Sequence, residues 1–235
     1  MKLRFEILRR APGEAEGHVQ AIEYETGDPA ATVATALTDM NRTEGLADVE
    51  GRPVGRVAWE CSCLQKKCGA CAMRVNGVPR LACDAKLAEL GGVVRLEPLR
   101  KFPMVADLVV DRSVLRENLK ALRLWLERDV DLTEKAGDIA YEASRCLQCG
   151  CCLEVCPNYL PGGAFLSAAA MVPASRLIAE LAPARREALY RQYSKRFYGG
   201  CGKSLSCRDI CPAGIDTERL LVNSNAIAVW KRLRR

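Results

Sequence analysis

The sequence is almost without histidine and has no long hydrophobic run. Among 235 residues His18 is the single histidine, and no stretch of about 18 to 20 uninterrupted apolar residues is present. We therefore expect no membrane-spanning helix, so any attachment to a membrane must be provided by a partner. Met1 leads directly into the strand-like segment 2–8 without a signal-peptide pattern, which gives no support for secretion.

Positive charge is only slightly in excess, with a formal net charge of +6. The basic residues concentrate late in the chain, at Arg185, Arg186, Arg191, Lys195, Arg196 and 231–235. A solvated helix face and tail is one interpretation, and contact with anionic lipid or an acidic partner is the other. Nucleic acid is not an expected partner, because no basic motif interleaved with aromatic residues is present.

The first hundred residues predict a small sheet with one helix. Apolar residues alternate with charged ones over 2–8 and 22–25, which indicates two paired strands. The spacing changes to helical periodicity over 30–41, with Asp28-Pro29 as the start signal. Asn76-Gly77 predicts a hairpin turn, and a final strand is predicted at 93–96. This order is typical of the β-grasp fold of plant-type ferredoxins.

After Pro98 the sequence predicts helices and cysteine-bearing loops. Helices are expected at 113–127, 134–144, 164–182, 185–197 and 217–233. The first carries a leucine stripe at 115, 119, 122 and 126, and the last has Asp216 as its N-cap. The fold class is thus α+β, with a β-grasp domain over residues 1–105 followed by an all-α domain over residues 106–235.

Cysteine is unusually frequent, with 13 copies. In a reducing compartment cysteines at this density bind metal more often than they form disulfides. Zinc is the simplest metal to consider, but structural zinc sites usually use histidine or paired CxxC motifs. The cysteines here fall in ferredoxin-like runs, which favours iron–sulfur clusters.

The first run has the spacing of a plant-type [2Fe–2S] site. A short loop carries three of the thiols and a separate strand carries the fourth, so the predicted ligands are Cys63, Cys68, Cys71 and Cys83. A loop of this length wraps a binuclear core and turns its backbone N–H groups toward the sulfurs. Cys61 is an alternative first ligand, although six residues would then separate it from Cys68.

The second and third runs have the spacing of a bacterial two-cluster ferredoxin, in which the last cysteine of each run ligates the other cluster. The second run ends in Cys156-Pro157 and the third in Cys211-Pro212. Exchange of the last ligands predicts a [4Fe–4S] cluster on Cys146, Cys149, Cys152 and Cys211. It predicts a second core on Cys156, Cys201 and Cys207.

Serine stands at the fourth ligand position of the second core. Ser204 replaces the expected cysteine of the third run, so only three thiolates remain, and a cubane with three thiolates tends to lose one iron. The predicted cluster is therefore [3Fe–4S]. Ligation of a fourth iron by Ser204, or water at that corner, is the alternative. Cys61 and Cys151 are left outside the ligand sets, and Cys151 is expected to be a small buried residue.

One plant-type motif followed by a crossed double motif with one missing cysteine resembles the iron–sulfur subunits of succinate dehydrogenase and fumarate reductase. The segment 103–111 and the motif Cys211-Pro212-x-Gly214 carry the resemblance further. It implies electron transfer between a FAD-bearing flavoprotein subunit and quinone at a subunit interface, with a membrane-anchor subunit completing the quinone site. The implied location is peripheral, on the cytoplasmic side of the cell membrane.

The sequence departs from the family's pattern in two loops. Where the family has arginine and glycine after the first cysteine, this chain has Leu64-Gln65-Lys66-Lys67. If Lys66 adopts the left-handed conformation of that glycine, it carries strain of roughly 1 kcal/mol, and a repacked loop is the alternative. Near the quinone the family has serine and tryptophan shortly after the Cys-Pro pair, where this chain has Asn158-Tyr159-Leu160. The family has histidine after the first cysteine of the last run, where this chain has Gly202. The implied quinone vicinity is therefore Pro157, Tyr159 and Leu160.

The expected function is electron relay in a succinate dehydrogenase or fumarate reductase complex, with no substrate chemistry in this chain. The alternative keeps the three clusters but has a different substrate or a different electron acceptor. It is a related flavoprotein reductase or dehydrogenase that uses another acid, or that passes electrons to a thiol or a soluble carrier.

Overall fold

The computed structural model describes residues 1–125, 134–181 and 183–231, although not the side chains at 134–136 or 183–185. The chain forms two compact units, Met1–Asp111 and Arg112–Arg235. In the part of the chain so described, no helix has both the length and the apolar content needed to cross a bilayer.

The first unit is built on a five-stranded mixed sheet. Its strands are β1 (Lys2–Arg9), β2 (His18–Glu25), β3 (Ala72–Val75), β4 (Val78–Leu81) and β5 (Val93–Glu97). Their order in the sheet is β2-β1-β5-β3-β4, with β1 and β5 parallel and the other pairs antiparallel. The two predicted N-terminal strands and the hairpin at Asn76-Gly77 are confirmed.

Alternation along β1 explains why this segment forms a strand with one buried face. Leu3, Phe5 and Ile7 are buried, while the residues between them face outward. Ile22 on β2 pairs with Phe5 and is also fully buried. Burying each such side chain contributes about 1.5–3 kcal/mol, so a shift of one residue in register would expose the whole set.

The helix of the first unit, α1 (Val33–Arg42), begins later than the sequence predicted. Thr32 is its N-cap, in a capping box with Thr35. Asp28, the predicted start signal, instead closes a turn, because its side chain accepts a hydrogen bond from the Ala30 N–H at 2.8 Å. The Val33 and Ala34 N–H groups donate to carbonyls of the segment that follows β4, which ties this helix start to the region of Cys83.

A buried carboxylate holds the end of the first unit together. Two short strands, β6 (Met104–Ala106) and β7 (Val109–Val110), form a ribbon whose turn contains Asp107. The Asp107 carboxylate accepts hydrogen bonds from the Arg10 N–H at 2.9 Å and the Ala58 N–H at 2.8 Å. It also lies 3.1 Å from Arg9 Nε. This aspartate therefore fixes the chain just before the loop that bears Cys61 and Cys63.

In the described part of the second unit the regular elements are helices. They are α2 (Ser113–Ala121), α3 (Glu134–Ser144), α4 (Cys151–Val155), α5 (Ser167–Glu180), α6 (Pro183–Arg196), α7 (Ser206–Asp209) and α8 (Thr217–Asn225). Helix α5 is central, because α2, α3, α4, α6 and α8 all contact it. It is buried along most of its length and contains Pro173.

Four helices begin or end at residues other than those predicted, and one of them, α6, runs over Pro183–Arg196 rather than 185–197. Helix α2 ends at Ala121 rather than at 127, because Arg123 takes a left-handed φ of 51°, and Leu126 lies outside the described residues. Helix α5 begins at Ser167 rather than at 164. Helix α8 gives way at Asn225 to a π-helical turn over Ala226–Trp230, and residues 232–235 lie outside the described chain.

Candidate metal centres

The loop of the first cysteine run aims its backbone N–H groups at sulfur atoms. The Gln65 and Lys67 N–H groups each lie 3.3 Å from Cys63 Sγ, and the Lys66 N–H lies 3.3 Å from Cys83 Sγ. The loop achieves this because Leu64 and Lys66 both adopt left-handed conformations, with φ of 52° and 59°. Lys66 therefore adopts the left-handed conformation considered above, and because it is not glycine this conformation costs free energy.

Cys63 and Cys61 sit in different environments. Cys61 is exposed, whereas Cys63 is partly buried and accepts the two backbone N–H groups. Those donors lower the pKa of Cys63 to about 7, because they stabilise the thiolate. Sulfur binds iron as the thiolate, so the environment of Cys63 suits a ligand.

The thiols of Cys71 and Cys83 lie close together at the start and end of the hairpin formed by β3 and β4. The Ala82 N–H donates to the Cys71 carbonyl at 3.0 Å, which holds the two chain segments together. Burial raises the pKa of Cys71 to about 12, so this thiol is costly to ionise without a cation beside it. A binuclear iron core supplies that positive charge, so the sulfur donors and N–H groups fit a [2Fe–2S] cluster.

Two neighbouring cavities in the second unit bring the remaining predicted ligands together. The first is lined by the sulfur-bearing residues Cys146, Cys149, Cys152, Cys207 and Cys211. The second is lined by Cys156, Cys201 and Cys207, together with Ser204. Each cavity thus contains cysteines from both runs, as an exchange of the last ligands requires. The ligand sets themselves stay predictions. Among the described residues, no three ligand-type side chains converge as around a single metal ion.

The two runs have the same local backbone. In the second run Gln148 and Gly150 have φ of 50° and 89°, and in the third run Lys203 and Leu205, at the corresponding places, both have φ of 57°. A short helix follows in each case, α4 or α7. Ser204 therefore occupies the position in its run that Cys149 occupies in the other.

Burial dominates the electrostatics of the first cavity. It raises the pKa of Cys146 and of Cys152, whose neighbouring thiols raise it further. Cys149 differs, because a hydrogen bond from the side chain of Cys151 lowers its pKa to about 7. Cys151 is fully buried, as expected from the sequence. Buried thiolates need compensating charge, which an iron–sulfur core provides, so the cavity fits the predicted [4Fe–4S] cluster.

Two side chains that were not predicted from the sequence lie close to predicted ligand sulfurs. Gln148 Nε2 lies 3.2 Å from Cys146 Sγ, and Thr217 Oγ1 lies 3.7 Å from Cys207 Sγ. Gln148 falls within the second run, but the spacing of the cysteines carries no information about the residues between them. Thr217 is the first residue of α8, and nothing in the sequence relates it to Cys207.

The three residues predicted near the quinone do not line the second cavity. Pro157 is exposed, Tyr159 is buried, and Leu160 is 69% exposed. The neighbouring positions that do line the cavity are Asn158, Phe165, Gly202 and Lys203. The quinone vicinity at Pro157, Tyr159 and Leu160 stays a prediction.

Comparison with known proteins supports iron–sulfur domains in both halves of the chain. The profile of a 2Fe-2S iron-sulfur cluster binding domain matches residues 4–117, and that of a 4Fe-4S dicluster domain matches residues 142–215. A chain in the solved structure of the Mycobacterium smegmatis Sdh1 complex in the apo form has the same fold. It covers 100% of this chain and 98% of its own length, with a TM-score of 0.77 and 21% identity.

Curated relatives extend this similarity to sequence. The succinate dehydrogenase iron-sulfur subunit of Bacillus subtilis is 34% identical over 91% of this chain and 87% of its own length. The fumarate reductase iron-sulfur subunit of Haemophilus influenzae is 30% identical over 91% and 88%, respectively. An uncharacterized iron-sulfur protein of Methanocaldococcus jannaschii is 29% identical over 80% of this chain and 39% of that protein. The chain belongs to the family of succinate dehydrogenase and fumarate reductase iron–sulfur subunits, the electron-transfer subunits of these oxidoreductase complexes.

Proposed function

We propose that this subunit relays electrons through three clusters whose ligands are those predicted from the cysteine runs. The [2Fe–2S] cluster is held by Cys63, Cys68, Cys71 and Cys83, the [4Fe–4S] cluster by Cys146, Cys149, Cys152 and Cys211, and the [3Fe–4S] cluster by Cys156, Cys201 and Cys207. When bound by these residues, the clusters would supply one-electron transfer at three places along the chain. The observation that carries this proposal is the pair of cavities, each lined by cysteines of both runs.

In this proposal the first cluster occupies a β-grasp ferredoxin domain, predicted over residues 1–105. The other two occupy an α-helical ferredoxin domain, predicted over residues 106–235. The mixed sheet of the first unit and the helices of the second support this assignment. The chain's own contribution is to exclude water from the buried thiolates and to present N–H donors to their sulfurs.

Exchange of the last ligands can be tested with two serine variants. Cys211→Ser should damage the [4Fe–4S] signal in electron paramagnetic resonance, although Cys211 belongs to the third run. Cys156→Ser should damage the [3Fe–4S] signal of the oxidised protein. Cys151→Ser is the matched control, because Cys151 is buried beside the cavity but is not a proposed ligand. The opposite pairing of variants and signals would refute the exchanged assignment.

The ends of the relay follow from the family. We infer a FAD-containing flavoprotein beside the [2Fe–2S] domain and a membrane-anchor subunit with quinone beside the [3Fe–4S] cluster, on the cytoplasmic side of the membrane. Exposed Leu160, directly after buried Tyr159, supports an apolar docking face near the second cavity. Washing membranes with high salt tests this, because an apolar face keeps the subunit bound whereas a purely electrostatic contact releases it. Recovery at low salt without the membrane, together with a flavoprotein, would refute the membrane assignment.

A second candidate function retains the clusters but uses a different electron acceptor. The second cavity is lined by Asn158 and Gly202, and the single histidine of the chain, His18, lies on β2 of the first unit. No histidine lines the second cavity, so protons for a quinone must come from the anchor subunit or from water, and a thiol or a soluble carrier is the alternative acceptor. Reduction of quinone by the complete complex, compared with reduction of disulfides, distinguishes the two candidates.

A further inference from the structure

Gln148 is held with its amide group against a ligand sulfur. Its Nε2 lies 3.2 Å from Cys146 Sγ and 3.0 Å from the Ala169 carbonyl oxygen. Both neighbours are acceptors, so the amide cannot be reversed without placing its oxygen against them. The other amide atom, Oε1, is buried and makes no hydrogen bond. Leaving that oxygen unpaired is costly, and the contact with sulfur is the interaction gained in return.

Thr217 lies in the wall between the two cavities. It is 2% exposed and lines both cavities, as do Cys207 and Ala168. Its hydroxyl oxygen lies 3.7 Å from Cys207 Sγ. When Cys207 binds iron its sulfur has no proton, so the hydroxyl must be the donor in this pair. Gln148 and Thr217 therefore reach two different proposed ligands, one of each predicted cluster of the second unit.

A donor to a ligand sulfur stabilises the reduced form of a cluster. One added electron makes the core and its sulfurs more negative, and no bond is made or broken. The hydrogen bond consequently becomes stronger on reduction, which raises the reduction potential. Gln148 and Thr217 each lie within reach of one proposed ligand sulfur, and a donor in that place favours negative charge on the sulfur.

We propose that Gln148 and Thr217 are positioning residues that separately set the potentials of the two clusters in the second unit. Gln148 raises the potential of the [4Fe–4S] cluster through Cys146, and Thr217 raises that of the [3Fe–4S] cluster through Cys207. The pair thereby fixes the driving force of the electron step between the two clusters. This inference rests on the proposed ligand sets.

Redox titrations followed by electron paramagnetic resonance test the proposal on the full chain in its complex. Gln148→Met keeps an unbranched side chain and removes the donor, so it should lower only the [4Fe–4S] midpoint. Thr217→Val keeps the shape and removes the hydroxyl, so it should lower only the [3Fe–4S] midpoint. We expect the loss of either donor to change the equilibrium distribution of the electron between the two clusters about tenfold. This corresponds to a shift of about 59 mV in the midpoint potential. Thr217→Ser retains the hydroxyl and should retain the wild-type midpoint.

Two results would overturn the inference: no shift in either variant, or equal shifts of both midpoints in each. The wild-type protein gives a second readout that does not depend on the variants. Electron–nuclear double resonance before and after long equilibration in heavy water should reveal an exchangeable proton coupled to each of the two centres, and its absence would also overturn the inference. If the wild-type protein lacks the [3Fe–4S] signal altogether, the proposed ligand sets fail instead, so the two failures are distinguishable.

Discussion

Two adjacent lysines in the first cysteine loop allow the cost of its left-handed backbone to be measured. Lys66 has φ of 59°, whereas Lys67 does not have a positive φ. Both side chains are exposed, and both backbone N–H groups lie 3.3 Å from a ligand sulfur. Replacing either lysine by glycine removes one positive charge and keeps the N–H donor. The two variants therefore differ in the φ of the replaced residue and in an ion pair between Lys66 and Asp84 at 2.7 Å.

The two differences change the stability of the folded protein in opposite directions. Glycine at Lys66 relieves about 1–2 kcal/mol of left-handed strain, while glycine at Lys67 relieves none. Loss of the half-exposed ion pair with Asp84 costs about 0.2–1 kcal/mol. The net expectation is that Lys66→Gly is more stable than Lys67→Gly by about 1 kcal/mol. For a compact unit of this size that corresponds to a melting temperature higher by about 4 °C.

The assay is heating of the full chain at one scan rate, followed by the visible circular dichroism of the [2Fe–2S] cluster. Asp84→Asn is the control that isolates the contribution of the ion pair. If Lys67→Gly melts at the same temperature as Lys66→Gly or above it, the backbone at Lys66 is not strained and the reasoning is wrong.

Four further predictions concern the cysteine sites and the buried carboxylate of Asp107. Ser204→Cys should convert the [3Fe–4S] centre to [4Fe–4S], seen as loss of the oxidised paramagnetic signal, and an unchanged signal would exclude Ser204 from the open corner. Cys63→Ser should damage the [2Fe–2S] signal selectively and Cys61→Ser should leave it intact, while the reverse result would reassign the ligand. In the metal-free chain, alkylation of Cys63 measured by mass spectrometry should rise through pH 7 and then level off, because its lowered pKa of about 7 makes it a thiolate above that pH. Asp107→Ala should lower the free energy of unfolding of the first unit by about 3 kcal/mol in denaturant titrations, because the Arg10 and Ala58 N–H groups lose their acceptor and Arg9 loses the carboxylate beside its Nε.

Cysteine spacing predicted which residues the fold would bring together. The second cavity contains Cys156 from one run with Cys201 and Cys207 from the other, as the exchange of last ligands requires. The strands were equally predictable, because alternation such as that of Phe5 and Ile7 reports directly which side of a strand is buried.

What the sequence did not predict depends on distant parts of the chain. The Thr217 hydroxyl lies 3.7 Å from Cys207 Sγ because α8 packs near the cavity, and no spacing rule relates the two residues. The start of α1 at Thr32 rather than near Asp28 depends on which of two side chains caps the helix and which closes a turn. The early end of α2 depends on a left-handed Arg123, and arginine carries no local signal for that conformation.

The way the two cavities are lined has a consequence for the order in which the protein is made. Ribosomes synthesise the chain from its N-terminus, so the four thiols of the first loop and hairpin are available once Cys83 has emerged. The cavity that contains Cys146 remains incomplete until Cys211 has been synthesised, and the cavity that contains Cys156 also waits for Cys207. In a nascent or truncated chain that stops between the second and third runs, the thiols of the second run are therefore present but neither cavity is formed. With the proposed ligand sets, neither cluster of the second unit can be inserted before the third run has been synthesised.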